Sequence, residues 1–504
     1  MSSTAGSRAV AVAIDAGTTG VRALAINLAA EVVAVTYREF PQYFPTPGWV
    51  EHDAEEIFSA VATTLRELME ELRVGGYEAR AIGITNQRET TVAWDRQSGA
   101  ALRRAIVWQD RRTAGLCRQL EADGHLAKVR ARTGLVLDPY FSATKMHWLL
   151  HEGGVAVNPS LALGTVDSWL LWRLTGSVDG GVFATDVTNA SRTLLYDIHA
   201  GRWSTTLADL FGVPTSALPE VFPSSHVFGH VAAGLHDDLT GLPVAGIAGD
   251  QHAALFGQAC FTPGQAKVTI GTGSFALLNA GVVAPEVIPG LLTTLACPGP
   301  GGETVYATEG SVFVSGAGVQ WLRDGRGLFS SSAELEQLAR SVDSSEGVTF
   351  VPALTGLGSP HWDPEARGII MGLSRGSGRA AIARAMIDAM AFQVTDVMAA
   401  MAASPVAPTE IRVDGGAAAN DLLLQLIADF TQLPVSRPRA VETTALGAAT
   451  LAGLATGLWS SPADLAHLWH LEATFTPAMG ADEAESRREI WRRAVDRSRR
   501  WATD

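Results

Sequence analysis

The sequence predicts an α/β chain organised as two related domains, and three observations carry that expectation. Its 504 residues are too many for one hydrophobic core. Short apolar strands ending in glycine turns alternate with stretches of helical periodicity. A strand, a glycine–hydroxyl turn and a returning strand also occur near the start of each half, which reads as an internal duplication. Hydrophobic residues make up 47% and charged residues 18% of the chain, with 51 glycines, the balance of a globular protein with tight turns. A net charge of −14 argues against nucleic acid or an anionic membrane as partner. Cys117, Cys260 and Cys297 lack metal-ligand spacing and fit reduced thiols. Residues 1–8 are small and polar without an apolar signal region, and no apolar run reaches the ~18 residues of a membrane helix. The expected setting is therefore cytoplasmic, with no membrane insertion.

The first element is Ala9–Ile14, a buried strand that runs into Asp15-Ala16-Gly17-Thr18-Thr19-Gly20-Val21-Arg22. Alternation resumes from Val21 to Ile26, which predicts a hairpin. Glycines allow the backbone to close on an anion, the Thr18 and Thr19 hydroxyls can donate to it, and Asp15 is placed to hold a hydrated Mg²⁺. The same residues suit an ordinary hairpin turn. A further strand covers Glu31–Thr36, and Phe40–Val50, rich in proline and aromatics, reads as a loop. Asp53 with Glu56 caps a helix running to about Leu72.

Ala81–Thr85 is a short strand that breaks off into Asn86-Gln87-Arg88-Glu89-Thr90. Polar clusters at the ends of parallel strands are where α/β sheets place ligands. Thr91–Trp94 and Ala105–Val107 follow, the latter ending in Trp108-Gln109-Asp110-Arg111-Arg112, and Asp138-Pro139-Tyr140-Phe141-Ser142 precedes a helix with Lys145 and Trp148. Arg88 and Glu89 read equally as a surface ion pair, and Trp108 and Tyr140 as core aromatics. Val244–Gly249 then delivers Asp250-Gln251 to a helix of small residues. Asp250 suits either a helix N-cap or a general base for a substrate hydroxyl, with Gln251 positioning that substrate.

The second half repeats the pattern with the strand Ala266–Ile270, the turn Gly271-Thr272-Gly273-Ser274 and a return from Phe275 to Leu278. A small-residue segment, Gly310–Gln320, and the loop Thr355–Pro364 precede an amphipathic helix expected over Ala380–Ala402. Ile411–Asn420 adds a third glycine turn, where Asn420 fits either an adenosine contact or a helix N-cap. Thr443–Gly457 reads as a closely packing helix. Seven arginines between Arg487 and Arg500 interleave with acids on a terminal helix and read as a solvated face.

Together these motifs resemble those of the FGGY carbohydrate kinase family, within the actin-like ATPase and sugar-kinase fold, and most closely its members that act on glycerol. The resemblance runs from about Val10 to Leu458. It implies two RNase H-like (actin-like ATPase) domains with a central cleft, residues 1–257 carrying the polyol site and phosphate loop and residues 258–504 the adenosine site. It implies ATP-dependent phosphorylation of a terminal hydroxyl of glycerol, with domain closure that excludes water. Carried over by position, the polyol site is Arg88, Glu89, Trp108, Tyr140, Asp250, Gln251 and Phe275, with Asp250 as catalytic base. Nucleotide contacts are Thr18, Thr19, Gly20 and Arg22 on the phosphates and Thr272, Gly316, Gln320, Gly416 and Asn420 on the rest. Asp15 and Asp250 match the Mg²⁺-associated carboxylates. A homodimer or homotetramer is the family expectation.

Two departures stand out. Where the glycerol-acting members usually carry Gln, Ser and Ser, this chain has Ala16, Gly20 and Val21, which removes polar groups from the first loop. Residues 231–242 hold no arginine where some members bind fructose 1,6-bisphosphate, and Asp237 and Asp238 there repel an anion. Two other readings stay open: a kinase of this family for another polyol or sugar (erythritol, dihydroxyacetone, a pentulose), and a nucleotide-gated polyol-binding protein with little transfer activity.

Overall fold

The computed structural model describes residues 8–298 and 302–502. The N-terminal residues read above for a signal region lie, up to residue 7, outside the described residues. The chain forms two compact units that exchange segments. The first comprises residues 1–261, 293–306 and 442–469, and the second residues 262–292, 307–441 and 470–504.

The first unit is organised on a six-stranded sheet. Its middle holds three neighbouring parallel strands, Pro243–Gly249, Glu78–Asn86 and Ala9–Ala16, flanked by antiparallel Ser225–His230 on one side and Gly20–Asn27 then Val32–Glu39 on the other. The first loop is a hairpin, as its alternation predicts, with Asp15 opposite Arg22 and Ala16 opposite Val21. The parallel registers bring Ala16, Asn86 and Gly249 level at one edge of the sheet. The segments leaving that edge are those singled out in the sequence. Helix Ala54–Gly75 covers one face, and Asp53 accepts from the Glu55 and Glu56 N–H groups. Helix Thr443–Ala455 lies on the other. A Cβ at Gly83 would sit 2.0 Å from the Ala448 carbonyl oxygen, and one at Gly246 2.6 Å from the Ala452 nitrogen. Only glycine lets that helix approach the strands. The same helix clamps Asp250–Gly257, because a Cβ at Gly447 would lie 1.9 Å from the Ala253 carbonyl oxygen.

The second unit repeats the motif. Strand Gln265–Ile270 pairs antiparallel with Ser274–Gly281 and parallel with Glu410–Asp414, which continues to Val435–Pro438 and Leu471–Phe475. One expectation is corrected here. The long helix spans Arg379–Met401 as the pattern suggests, but it is not amphipathic, since residues all around its circumference are buried. Its many alanines let other elements pack on several sides at once, among them helices Ser332–Arg340 and Asp421–Thr431. The terminal helix Ala481–Ser498 carries Glu483–Arg487, Glu485–Arg488 and Glu489–Arg492 ion pairs, a solvated face as read from its sequence. Cys117, Cys260 and Cys297 are all buried. Among the described residues no helix is long and apolar enough to cross a membrane.

Candidate active site

The site grows from the level edge of the three parallel strands. Asp15 is the penultimate residue of the first strand, Arg88 and Glu89 follow the second, and Asp250 follows the third. Gly249 occupies the N-cap position of the helix, so Asp250 is its first residue rather than its cap. The Asp250 Oδ1 accepts from the Gln251 N–H at 2.6 Å and pairs with Arg88 Nε at 3.1 Å. Arg88 and Glu89 are not the surface ion pair their adjacency allows. Both are buried, and each has a distant partner. The Arg88 guanidinium also donates to the Tyr140 hydroxyl at 3.2 Å. Glu89 Oε1 accepts from Arg192 Nε at 2.6 Å, with both side chains at 1% exposure or less.

Glu89 is held at φ +61, and the Thr90 N–H bonds back to the Arg88 carbonyl at 2.7 Å, a tight turn that a residue with a Cβ adopts at a cost. The Thr91 and Ser142 hydroxyls donate to the Glu89 carbonyl and hold it there. Trp108 meets Tyr140 edge to face at 5.6 Å. The Tyr140 loop is pinned from beneath by Lys145, whose ammonium donates to the carbonyls of Pro139, Tyr140 and Phe141 at 3.0, 2.5 and 2.9 Å. Burial pulls that amine down to about 8, so it remains mostly charged at neutral pH. Six of the seven polyol-site candidates thus gather in one unit, while Phe275, on strand Ser274–Gly281, belongs to the second.

The glycine loop adjoins this cluster. The Trp108 indole N–H donates to Thr18 Oγ1 at 3.0 Å. Arg22 pairs with Glu442 at 2.6 Å, both substantially exposed. Burial raises Asp15 to about 7, opposed by Arg22 and reinforced by the negative charges of Asp250 and Glu442. The departures in this loop have structural reasons. Ala16 and Val21 are fully buried in the core of the unit, so polar groups at these two positions would face apolar neighbours. A Cβ at Gly20 would lie 2.7 Å from both the Tyr37 ring and the Arg38 carbonyl oxygen, so that space is taken.

In the second unit, the Thr272 carbonyl accepts from Ser315 and Ala317 N–H groups and Gly316 bonds to Gly271, which brings Thr272 and Gly316 together. Gly415, at φ +87, packs on Ile270, while a Cβ on Gly416 would meet nothing within 4 Å. Asn420 is the N-cap of Asp421–Thr431, its side-chain oxygen accepting from Leu423 N–H at 2.9 Å, which leaves its amide nitrogen and one oxygen lone pair outside the cap bond. Gln320 is exposed at the end of the short helix Gly316–Gln320.

Arg192 and Glu442 escaped the sequence reading. Arg192 is the single charge between Val187 and Tyr196, a signal that was available. Glu442 precedes an alanine-rich helix and looks like any acid at a helix start. His52 and the polar side chains of Gln87 and Thr90 were likewise given no role.

Comparison with known proteins agrees with this architecture. Residues 10–257 match the N-terminal domain, and residues 266–456 the C-terminal domain, of the FGGY family of carbohydrate kinases. The chain is 51% identical over 494 residues to a glycerol kinase of Rhodopirellula baltica, covering 97% of this chain and 90% of that one. It is 52% identical over 490 residues to a glycerol kinase of Ralstonia nicotianae, covering 96% and 97%. The crystal structure of Plasmodium falciparum glycerol kinase with ADP superposes with a TM-score of 0.91 at 32% identity, over 98% of this chain and 99% of that one. Two sheet-based units with duplicated hairpins, and full-length relatives at this level of identity, lead to one conclusion: the chain belongs to the FGGY family of carbohydrate kinases.

Proposed function

We propose that the protein transfers the γ-phosphoryl group of ATP to a terminal hydroxyl of glycerol, giving sn-glycerol 3-phosphate and ADP. The observation that carries this reading is the Arg88–Asp250 pair, set at the edge of three parallel strands beside the glycine loop. Relatives about half identical over the whole chain are named glycerol kinases, which supports glycerol as the acceptor.

Asp250, oriented by Arg88 and the Gln251 N–H, is the base. It takes the hydroxyl proton as the substrate oxygen bonds to the γ-phosphorus and the bond to the β-bridging oxygen breaks, releasing ADP. Arg88, Glu89, Tyr140 and Gln251 exchange hydrogen bonds with the triol, while Trp108 and Phe275 wall its carbons. Thr18, Thr19, Gly20 and Arg22 face the phosphates, and Thr272, Gly316, Gln320, Gly416 and Asn420 the adenosine part. On this reading the phosphate contacts and, Phe275 apart, the polyol contacts belong to residues 1–257, and the adenosine contacts to residues 258–504.

A divalent cation fits this donor set. Asp15 is a half-buried carboxylate whose ionisation is opposed by desolvation and by the charges of Asp250 and Glu442, and a cation would relieve that. Among the described residues no cluster of three or more side chains forms a cage for a metal. Mg²⁺ held by Asp15 and Asp250 would therefore keep water and phosphate oxygens as its other ligands and neutralise phosphate charge. The active protein is proposed to be a cytoplasmic homodimer or homotetramer.

The test is ADP release in a coupled assay with Mg-ATP and a panel of polyols. Glycerol should rank first in kcat/KM, and a higher rank for another polyol would refute the acceptor assignment. Asp250→Asn should abolish turnover while calorimetry still detects glycerol binding, and near-normal turnover would remove Asp250 from its role.

A further inference from the structure

The bonds linking the polyol segment to the glycine loop can be assigned donor by donor. The Trp108 backbone N–H donates to Thr90 Oγ1 at 3.2 Å. That hydroxyl has one proton of its own, and it goes to Gln87 Oε1 at 2.9 Å. The amide of Gln87 is thereby fixed, with its nitrogen donating to the Gly17 carbonyl at 3.1 Å and to His52 Nδ1 at 3.2 Å. Burial drives the imidazole of fully buried His52 down to about 4 and keeps it neutral, and accepting at Nδ1 puts its ring proton on Nε2, a buried atom with no hydrogen-bond partner among the described residues. Its ring sets its edge against Phe40 at 5.0 Å. Both Gln87 and Thr90 are buried, at 2% and 0% exposure. On the far side of the loop, the Trp108 indole N–H donates to Thr18 Oγ1, so the proton of Thr18 must go to some other acceptor.

The loop is therefore gripped at the Gly17 carbonyl and at the Thr18 hydroxyl by one segment, residues 87–108, which also carries Arg88, Glu89 and Trp108. We propose that Gln87 and Thr90 are positioning residues for phosphate binding, and that the Trp108 indole N–H aims the Thr18 hydroxyl proton at a phosphate oxygen. The inference rests on the kinase reading and adds to it residues that touch neither substrate. Trp108 then has two separable parts: its ring face walls the acceptor, and its N–H serves the nucleotide.

The experiment compares Thr90→Val, Thr90→Ser and Trp108→Phe with the wild type. Calorimetry with a non-hydrolysable ATP analogue and Mg²⁺ reads the loop directly and needs no acceptor, so it is independent of whether glycerol is the substrate. Losing one neutral hydrogen bond should weaken analogue binding about fivefold in Thr90→Val. Thr90→Ser, which keeps the hydroxyl, should restore it. Trp108→Phe keeps an aromatic wall and the backbone bond to Thr90, and should lose analogue affinity by a similar factor. In turnover assays KM for ATP should rise in each impaired variant more than KM for glycerol. Thr90→Ser as impaired as Thr90→Val, or unchanged analogue affinity in Trp108→Phe, would overturn the proposal. Should Thr90→Val fail to fold, Trp108→Phe alone decides.

Discussion

Replacing Arg192 with methionine tests how the proposed polyol site is supported from behind. Arg192 is fully buried, its Nε lies 2.6 Å from Glu89 Oε1, and its guanidinium lies over the Tyr140 and Phe141 rings at 5.3 and 5.1 Å. Methionine conserves much of the apolar volume and removes the charge. Glu89, at 1% exposure, is then left as a buried carboxylate without that partner, a change that costs about 3–5 kcal/mol. For a unit of roughly 300 residues this lowers Tm by roughly 5–8 °C. The assay is thermal unfolding near neutral pH of the wild type, Arg192→Met, Glu89→Gln and the double variant. Glu89→Gln neutralises the stranded group, so the double variant should be more stable than the sum of the single effects by about 2 kcal/mol. Arg192→Met should also raise KM for glycerol more than it lowers kcat, because Glu89 loses its orientation. A Tm within about 1 °C of the wild type, or strictly additive effects, would refute the argument.

Other expectations can be checked as directly. Asp15 has a folded-state value of about 7 against 3.8 unfolded, so the folded protein holds an extra proton between those limits and stability falls as pH rises through that window. Asp15→Asn should remove this fall, gaining about 4 kcal/mol over the wild type at pH about 8 but less than half of that at pH about 5 without ligands; an equal difference at both pH values would contradict it. Gly83→Ala places a methyl 2.0 Å from the Ala448 carbonyl oxygen and should either abolish soluble expression or cut Tm sharply, whereas Gly457→Ala, with nothing within 4 Å but φ +77, should cost about 1 kcal/mol. Fructose 1,6-bisphosphate should leave turnover unchanged, since Asp237 and Asp238 form a short helical turn with no arginine between residues 231 and 242; potent inhibition would refute this.

What could be read from the sequence was local. The alternation on both sides of Gly17–Gly20 encodes a hairpin because cross-strand side chains must all face one core, and Asp53 announces its helix because an N-cap acts within three residues. Asp250 was legible as a strand-end carboxylate. Its partner was not: Arg88 lies 162 positions earlier in the numbering, and the adjacency of Arg88 and Glu89 suggested the wrong pairing. Arg192 and Glu442 meet Glu89 and Arg22 across 103 and 420 positions, distances at which periodicity carries no information. The Arg379–Met401 helix shows the opposite failure. Its polar residues suggested an outer face, but neighbours on several sides cover them, a fact of tertiary packing.

Helix Thr443–Ala455 has a consequence for how the molecule is made. It is encoded nearly two hundred residues after the last strand it lies on, Pro243–Gly249, yet Gly83 and Gly246 are shaped to receive it. While the ribosome is still translating the intervening segment, the nascent first unit has one sheet face bare, and Asp250 sits on a helix without its clamp. Synthesis must reach beyond residue 455 before that layer can close, so the protein has reason to depend on chaperone cover during translation, and a fragment ending near residue 257 would emerge with its glycine-lined face open to aggregation.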